Sequence, residues 1–371
     1  MLKDSDRLKD ADTPWRGFTY TLLFTAAAIL AVLYLYIVIV DPYDNLPLSP
    51  DWERLQVTGS HRYFKPSVAR RSEYDGVVIG ASTSMMLHPG RLGKALDARF
   101  ANLAMPAASP FEQLRLLQLF HDHHPAPRYI LVGLDRNWCV TEKIPKQMDV
   151  NLGRPNPDWL YDENHWNDWP DLSPDVLKHA RRQAGALLDP DEDPAARDGY
   201  YNFTIKSYGP YDLQRARANI YRGLQPLPRP QDAPPLAIDP ATRQGWAFPD
   251  LVRLQEALDR LPMETVKLMF FTPFHWYEQA QPGTRNQAEM TECKRRVTAI
   301  GARVRNYFAV DFMRRTPITL VDSNYWDGVH FTGEIAESVE GMLVNVIKGE
   351  RADNENYVHL ALPTVPLDPS P

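Results

Sequence analysis

Ser82, Asp327 and His330 are the residues of this 371-residue chain whose types and order could do chemistry together. Ser82 closes an apolar run, Val77-Val78-Ile79-Gly80-Ala81-Ser82, that reads as a strand presenting a hydroxyl at its carboxyl end. Asp327 and His330 stand three residues apart in Trp326-Asp327-Gly328-Val329-His330, directly ahead of a helical period. A serine hydroxyl is a weak nucleophile until a base takes its proton, and an imidazole serves as that base when a carboxylate fixes its tautomer. Each residue has an ordinary alternative. Ser82 could be a cap or turn residue, Ser84 could take either that role or the nucleophile's, His330 could be a packed histidine before Thr332, and Asp327 half of an Asp-Gly turn. The combination, rather than any member, points to a nucleophilic serine.

Positioning these groups requires elements that converge on one edge. Strands are expected at 76–79, 100–103, 129–134, 266–272 and 307–312. Helices are expected at about 90–98, 111–121, 251–261, 286–305 and 332–348. Tyr129-Ile130-Leu131-Val132-Gly133-Leu134 is continuously apolar, as strands covered on both faces are. Alternation of strand and helix implies an α/β fold, three-layered with a mostly parallel sheet. Sites in such sheets lie beyond the carboxyl ends of the strands. Ser82 leaves the first strand at that edge, and Asp327 and His330 precede the last helix there. His275, in Thr272-Pro273-Phe274-His275, would reach the same edge as a substrate contact or lie on the surface.

Residues 138–249 break the alternation. They are rich in Pro, Asp, Asn and Trp and read as a long irregular insertion in a domain spanning 73–350. Trp159, Trp166 and Trp169 could stack on sugar rings, although packing the insertion down is the simpler role. Asp189-Pro190-Asp191-Glu192-Asp193 lacks calcium-loop spacing and reads as a solvated acidic loop. His121 and His124 are one turn apart at a helix end, short of the converging ligands a metal needs. No metal or cofactor is therefore expected. Residues 351–371 show no period and read as a mobile tail.

The chain carries 41 Lys and Arg against 47 Asp and Glu, with no basic block, which argues against nucleic acid as a partner. From Gly17 to Val40 there is no charged residue. At helical rise this stretch reaches roughly 36 Å, enough to cross a bilayer core of about 30 Å. The sequence after it, Asp41-Pro42, is a poor cleavage site, which favours a retained anchor over a signal peptide. Lys3, Arg7, Lys9 and Arg16 precede the run. By the positive-inside rule residues 1–16 stay in the cytoplasm, and everything from the 41–72 connector onward lies outside it. Cys139 and Cys293, the two cysteines, would then meet an oxidising space, as one disulfide or as two buried thiols.

Four blocks resemble the SGNH/GDSL hydrolase superfamily in its membrane-anchored, cell-envelope branch. Val77 to Ser82 is similar to its strand and Gly-x-Ser, and Ala101-Asn102-Leu103-Ala104-Met105-Pro106-Ala107-Ala108-Ser109 to its Asn-Leu-Gly loop. Leu134-Asp135-Arg136-Asn137 stands where the family has Gly-x-Asn, and Asp327-Gly328-Val329-His330 fits its Asp-x-x-His. The resemblance spans about 70–140 and 264–348. It implies Ser82 as nucleophile, His330 as base, Asp327 as orienter, and an oxyanion hole from Ser82 N–H, Ala104 N–H and a side chain at Asp135 or Asn137. Two departures bear on that hole. Ala104 and Ala107 stand where glycines are usual, and Asp135 where Asn is. An ionised Asp would oppose a developing oxyanion, and one lost donor costs about 100- to 1000-fold in turnover. The resemblance implies an esterase or O-acyltransferase of envelope polysaccharide in a bacterial cytoplasmic membrane, with a multi-spanning acyltransferase as a candidate partner. A non-catalytic glycan-binding scaffold and a membrane-anchored lipase or thioesterase are the alternatives.

Overall fold

The computed structural model describes residues 5–52, 54, 61–141, 158–162, 164, 166, 168–188, 197–223 and 233–363. The acidic run at 189–193 and residues 224–232 of the Pro-rich stretch lie outside them. Five strands, β1 (Gly76–Ile79), β2 (Phe100–Asn102), β3 (Tyr129–Leu134), β4 (Val266–Phe271) and β5 (Tyr307–Asp311), are parallel, and β6 (Val358–Ala361) runs antiparallel at one edge. The order is β2-β1-β3-β4-β5-β6. The chain reverses its direction of travel across the sheet at β1, which opens a crevice beyond the ends of β1 and β3.

The helices are α1 (Ser5–Val40), α2 (His61–Arg70), α3 (Pro89–Leu96), α4 (Pro110–His123), α5 (Pro174–Leu188), α6 (Phe203–Tyr208), α7 (Leu213–Ile220), α8 (Pro240–Gly245), α9 (Pro249–Asp259), α10 (Arg285–Ile300) and α11 (Gly333–Ile347). Alternate strand residues divide the core into two layers. Val77, Ile79, Ile130, Val132, Met269 and Phe271 pack beneath α2, α4, α9 and α10. Val78, Leu131, Leu268, Phe270, Phe308 and Val310 pack beneath α3 and α11. Burial on both faces is why these strands are mostly apolar, with Asn102, Lys267 and Asp311 as buried polar exceptions.

Two expectations are corrected. The described parts of the insertion are not irregular, since they contain α5 to α8. The 351–371 tail is not without structure. Val358–Ala361 pairs with β5, where the sheet edge offers unpaired backbone groups to any adjacent segment. The described part of the 41–72 connector carries a helix, α2, and is packed. Nearly all of α2 is buried, with Arg62 donating to both Glu112 oxygens (2.5 and 2.9 Å) and Arg70 to Asp168 (2.8 Å). The cysteines form a disulfide, Cys139–Cys293, joining the 3-10 turn that follows β3 to α10.

The span Trp15–Val40 of α1 contains an 18-residue window with a mean hydropathy of 2.7, so this helix is long and apolar enough to cross a membrane.

Candidate active site

Ser82 sits three residues beyond β1, at the crevice, and opens a 3-10 turn, Ser84–Met86. Asn102, at the end of β2, fixes that turn by donating to the carbonyls of Ser84 (2.9 Å) and Leu87 (2.8 Å). The two glycines that flank the turn have a packing role. A Cβ on Gly80 or Gly133 would overlap the Ser84 hydroxyl, so Ser84 fills the notch they leave. Its hydroxyl is buried and finds no hydrogen-bond partner among the described residues. Ser84 is therefore a packing residue, and the accessible hydroxyl is that of Ser82.

The loop ahead of α11 brings the other two groups to it. Ser82 Oγ lies 2.7 Å from His330 Nε2, and His330 Nδ1 lies 2.7 Å from Asp327 Oδ2. Asp327 Oδ1 accepts the backbone N–H groups of Val329 and His330, both at 2.8 Å. The three-residue spacing thus serves two purposes, closing an Asp turn on the backbone and bringing the carboxylate against the imidazole. Burial pushes the Asp327 carboxyl upward. The His330 and Tyr208 hydrogen bonds and the Val329 N–H outweigh it and hold the group down at about 2. An ionised Asp327 only accepts, so His330 carries its proton on Nδ1 and leaves Nε2 to receive the serine proton.

A fourth group was not legible in the sequence. Tyr208, at the end of α6, donates to Asp327 Oδ2 at 2.6 Å and stacks on Trp326. The tyrosine hydroxyl is pushed above its ordinary range, by burial first and then by Asp327. Its neighbours in the insertion brace the same loop. Asn219 donates to the Trp326 carbonyl (3.1 Å), and Arg217 and Tyr221 bind Asp322 at 2.9 and 2.8 Å. The insertion clamps the loop that carries Asp327 and His330.

His275 belongs to this brace rather than to a substrate surface. It is buried, its N–H donates to the Gly328 carbonyl (3.0 Å), and its ring lies 3.2 Å from Asp322. The other expected oxyanion groups are also committed elsewhere. The Ala104 N–H donates to Asn102 Oδ1 (3.0 Å). Asp135 caps the 3-10 turn Arg136–Cys139, accepting the Asn137 N–H (2.8 Å), and Asn137 Nδ2 lies 3.3 Å from the same carboxylate. Burial raises the Asp135 carboxyl to about 6, against the pull of Asn137 and Arg136. Ala107 holds a left-handed φ of 49°, a conformation glycine would adopt without strain. The Ser82 N–H, by contrast, donates to no protein acceptor among the described residues. A cavity of about 740 Å³ opens on this edge, lined by Asn137, Thr141, Phe274, Glu278, Gln281 and Met290. Glu278 also packs against Gly328 in the loop that carries Asp327 and His330.

The metal reading of the histidine cluster fails at His124, whose ring nitrogens face the Phe120 and Arg71 carbonyls at 2.7 and 2.8 Å. Among the described residues no three His, Cys, Asp or Glu side chains converge. Trp169 is half-buried and stacks on Tyr34 of α1, Trp166 is exposed, and the Trp159 side chain lies outside the described set. The arrangement can activate a serine hydroxyl and store its proton. Comparison with family models and with curated proteins returns no match, so what the site does rests on its own geometry.

Proposed function

We propose that this chain is a serine-dependent ester hydrolase or O-acyltransferase of SGNH/GDSL type, anchored by α1 in a bacterial cytoplasmic membrane and acting outside the cytoplasm. Its substrates are acyl, most simply acetyl, esters on cell-envelope polysaccharide. The reading rests on one observation, the relay from Ser82 Oγ through His330 to Asp327 with both contacts at 2.7 Å. In the reaction Ser82 Oγ bonds to the ester carbonyl carbon while its proton passes to His330 Nε2. Negative charge collects on the carbonyl oxygen, where the Ser82 N–H donates. Collapse breaks the bond to the sugar oxygen, which takes the proton from His330. The acyl group on Ser82 then passes to water or to a second sugar hydroxyl by the same steps in reverse. The Cys139–Cys293 disulfide supports an oxidising compartment.

The test is full-length protein in detergent, assayed with p-nitrophenyl acetate and a fluorophosphonate probe. Ester cleavage and probe labelling should both vanish in Ser82→Ala. Unchanged hydrolysis in that variant would remove Ser82 from the mechanism. A scaffold without catalysis is the second reading, favoured by the committed Ala104 N–H and by Asp135 in the place of Asn. Absence of labelling in a folded wild-type protein that retains glycan binding would select it.

A further inference from the structure

If α1 crosses a bilayer, its own length is a ruler for where the globular domain sits. Arg16 is the last charge before the apolar run, and about 20 residues are needed for the hydrocarbon core. Counting from Gly17, the core ends near Tyr36. Aromatic residues mark both boundaries. Trp15 and Tyr36 are separated by roughly 32 Å of helix, and Trp and Tyr favour the two water–lipid interfaces. Yet one face of α1 is covered by the domain from Leu33 onward. Trp169 stacks on Tyr34 with ring centroids 6.3 Å apart, and Val176 and Ala180 of α5 pack on Ile37 and Val40. The domain therefore reaches down to the level where the bilayer ends.

The connection leaves no slack. Asp41 turns the chain back at the end of α1 in a left-handed conformation, and its carboxylate accepts the N–H groups of Asn45 and Leu46 and the Ser49 hydroxyl. Arg54 donates to the Val40 carbonyl (3.0 Å) and to the carbonyls of Pro50 and Trp52. Around this knot large apolar side chains face outward. Leu48, Trp52 and Trp166 are 64%, 44% and 66% exposed, and Leu172, just ahead of α5, is exposed as well. Among the described residues outside α1, Trp52 and Trp166 are the exposed tryptophans, and both lie here. Trp166 is tied to the ruler directly, since its carbonyl accepts the Trp169 indole N–H (2.8 Å). Tryptophan gains most where one end of the ring is wet and the other apolar. Charges on the same flank nearly cancel, with Lys178, Arg181 and Arg182 exposed beside Asp171 and Asp175.

We propose that the collar formed by Leu48, Trp52, Trp166 and Leu172 is a lipid-contact surface that inserts into the interfacial zone of the bilayer around the exit of α1. The contact is apolar and aromatic, so it forms on zwitterionic lipid without anionic headgroups. It rests on α1 crossing the membrane, and it holds the catalytic edge at a set height and orientation instead of on a free tether.

The experiment uses full-length protein in phosphatidylcholine nanodiscs. Nitroxides are placed one at a time by Ile29→Cys, Leu48→Cys, Trp166→Cys and Ser338→Cys, and collision with oxygen and with a nickel chelate is read for each. Ser338 is exposed on α11, across the sheet from α2. Labels at 48 and 166 should show an oxygen-to-nickel ratio several-fold above that at 338, with 29 higher still. Labels at 48 and 166 that match 338 while 29 reads as membrane-embedded would overturn the lipid contact alone. A label at 29 in water would overturn the anchor itself and the contact with it. Because the labelled side chains are exposed, each variant should melt with wild-type protein, and Trp52→Cys provides a second position should Trp166→Cys fail to.

Discussion

Asp327→Asn separates the chemical role of the carboxylate from its structural one. Two backbone N–H groups hold Oδ1, so the amide oxygen of the variant stays on that side and its NH₂ turns toward His330 Nδ1 and the Tyr208 hydroxyl. An amide donor facing Nδ1 forces the proton to Nε2, which then cannot accept from Ser82 Oγ. A wrong tautomer in a triad of this kind costs about 10⁴ in kcat, roughly 5 kcal/mol of barrier. The stability cost is smaller. A carboxyl held at about 2, against an unfolded value near 4, stabilises the fold by on the order of 2 kcal/mol at neutral pH. Because the folded value is the lower one, that contribution is complete above about pH 4 and fades as the pH falls toward 2. The variant should therefore lose ester hydrolysis about ten-thousand-fold at pH 7.5 while remaining folded by circular dichroism. Its deficit in urea midpoint at pH 7 should shrink at pH 3. Ser82→Ala combined with Asp327→Asn should be no slower than Ser82→Ala alone, since the residues act as a unit. Activity of Asp327→Asn within tenfold of wild type would refute the tautomer argument and, with it, His330 as the base.

Three further outcomes follow from the same geometry. Tyr208→Phe removes one charge-assisted hydrogen bond of about 1.5–3 kcal/mol but leaves the His330 tautomer intact, so kcat should fall roughly 10- to 100-fold with KM little changed. A loss as large as that of Asp327→Asn would mean Tyr208 does more than brace the carboxylate. Asp135→Asn keeps a competent cap and removes a buried carboxyl that titrates near 6, a penalty that grows as pH rises from about 4 to 6. The variant should be more stable by up to about 2 kcal/mol at pH 7.5 and unchanged at pH 4, as read from thermal melts at both. Cys139→Ser with Cys293→Ser opens a link between residues 154 apart, so the melting temperature should drop by an amount equivalent to about 3–5 kcal/mol. Reduction of wild-type protein should reproduce that drop.

Much of the central sheet could be read from the chain. β3 was legible because both its faces are buried, which makes every residue from Ile130 to Leu134 apolar or glycine. The triad was legible through order alone, because a parallel sheet gathers the carboxyl ends of its strands on one side. What escaped was whatever depended on distance in space. Tyr208 reaches Asp327 across 119 residues from a six-residue helix too short to carry a period. β6 is a half-exposed four-residue edge strand, with neither length nor alternation to declare it. The Ala104 N–H could be placed in the right block by pattern, yet only coordinates show Asn102 taking it up.

The buried ion pairs of α2 also bear on where this protein can be cut. Arg62 and Arg70 neutralise Glu112 and Asp168, and the fully buried Lys65 donates to the carbonyls of Asn102 and Gly199. A truncation that begins at β1 would strip away these cations and strand two carboxylates in the interior, at a cost of about 3–5 kcal/mol for each broken pair. It would also release Asn102, and through it the turn that carries Ser82. The folded unit that positions Ser82 therefore begins upstream of its sheet, at the end of α1, and α2 is as much a part of it as the strands.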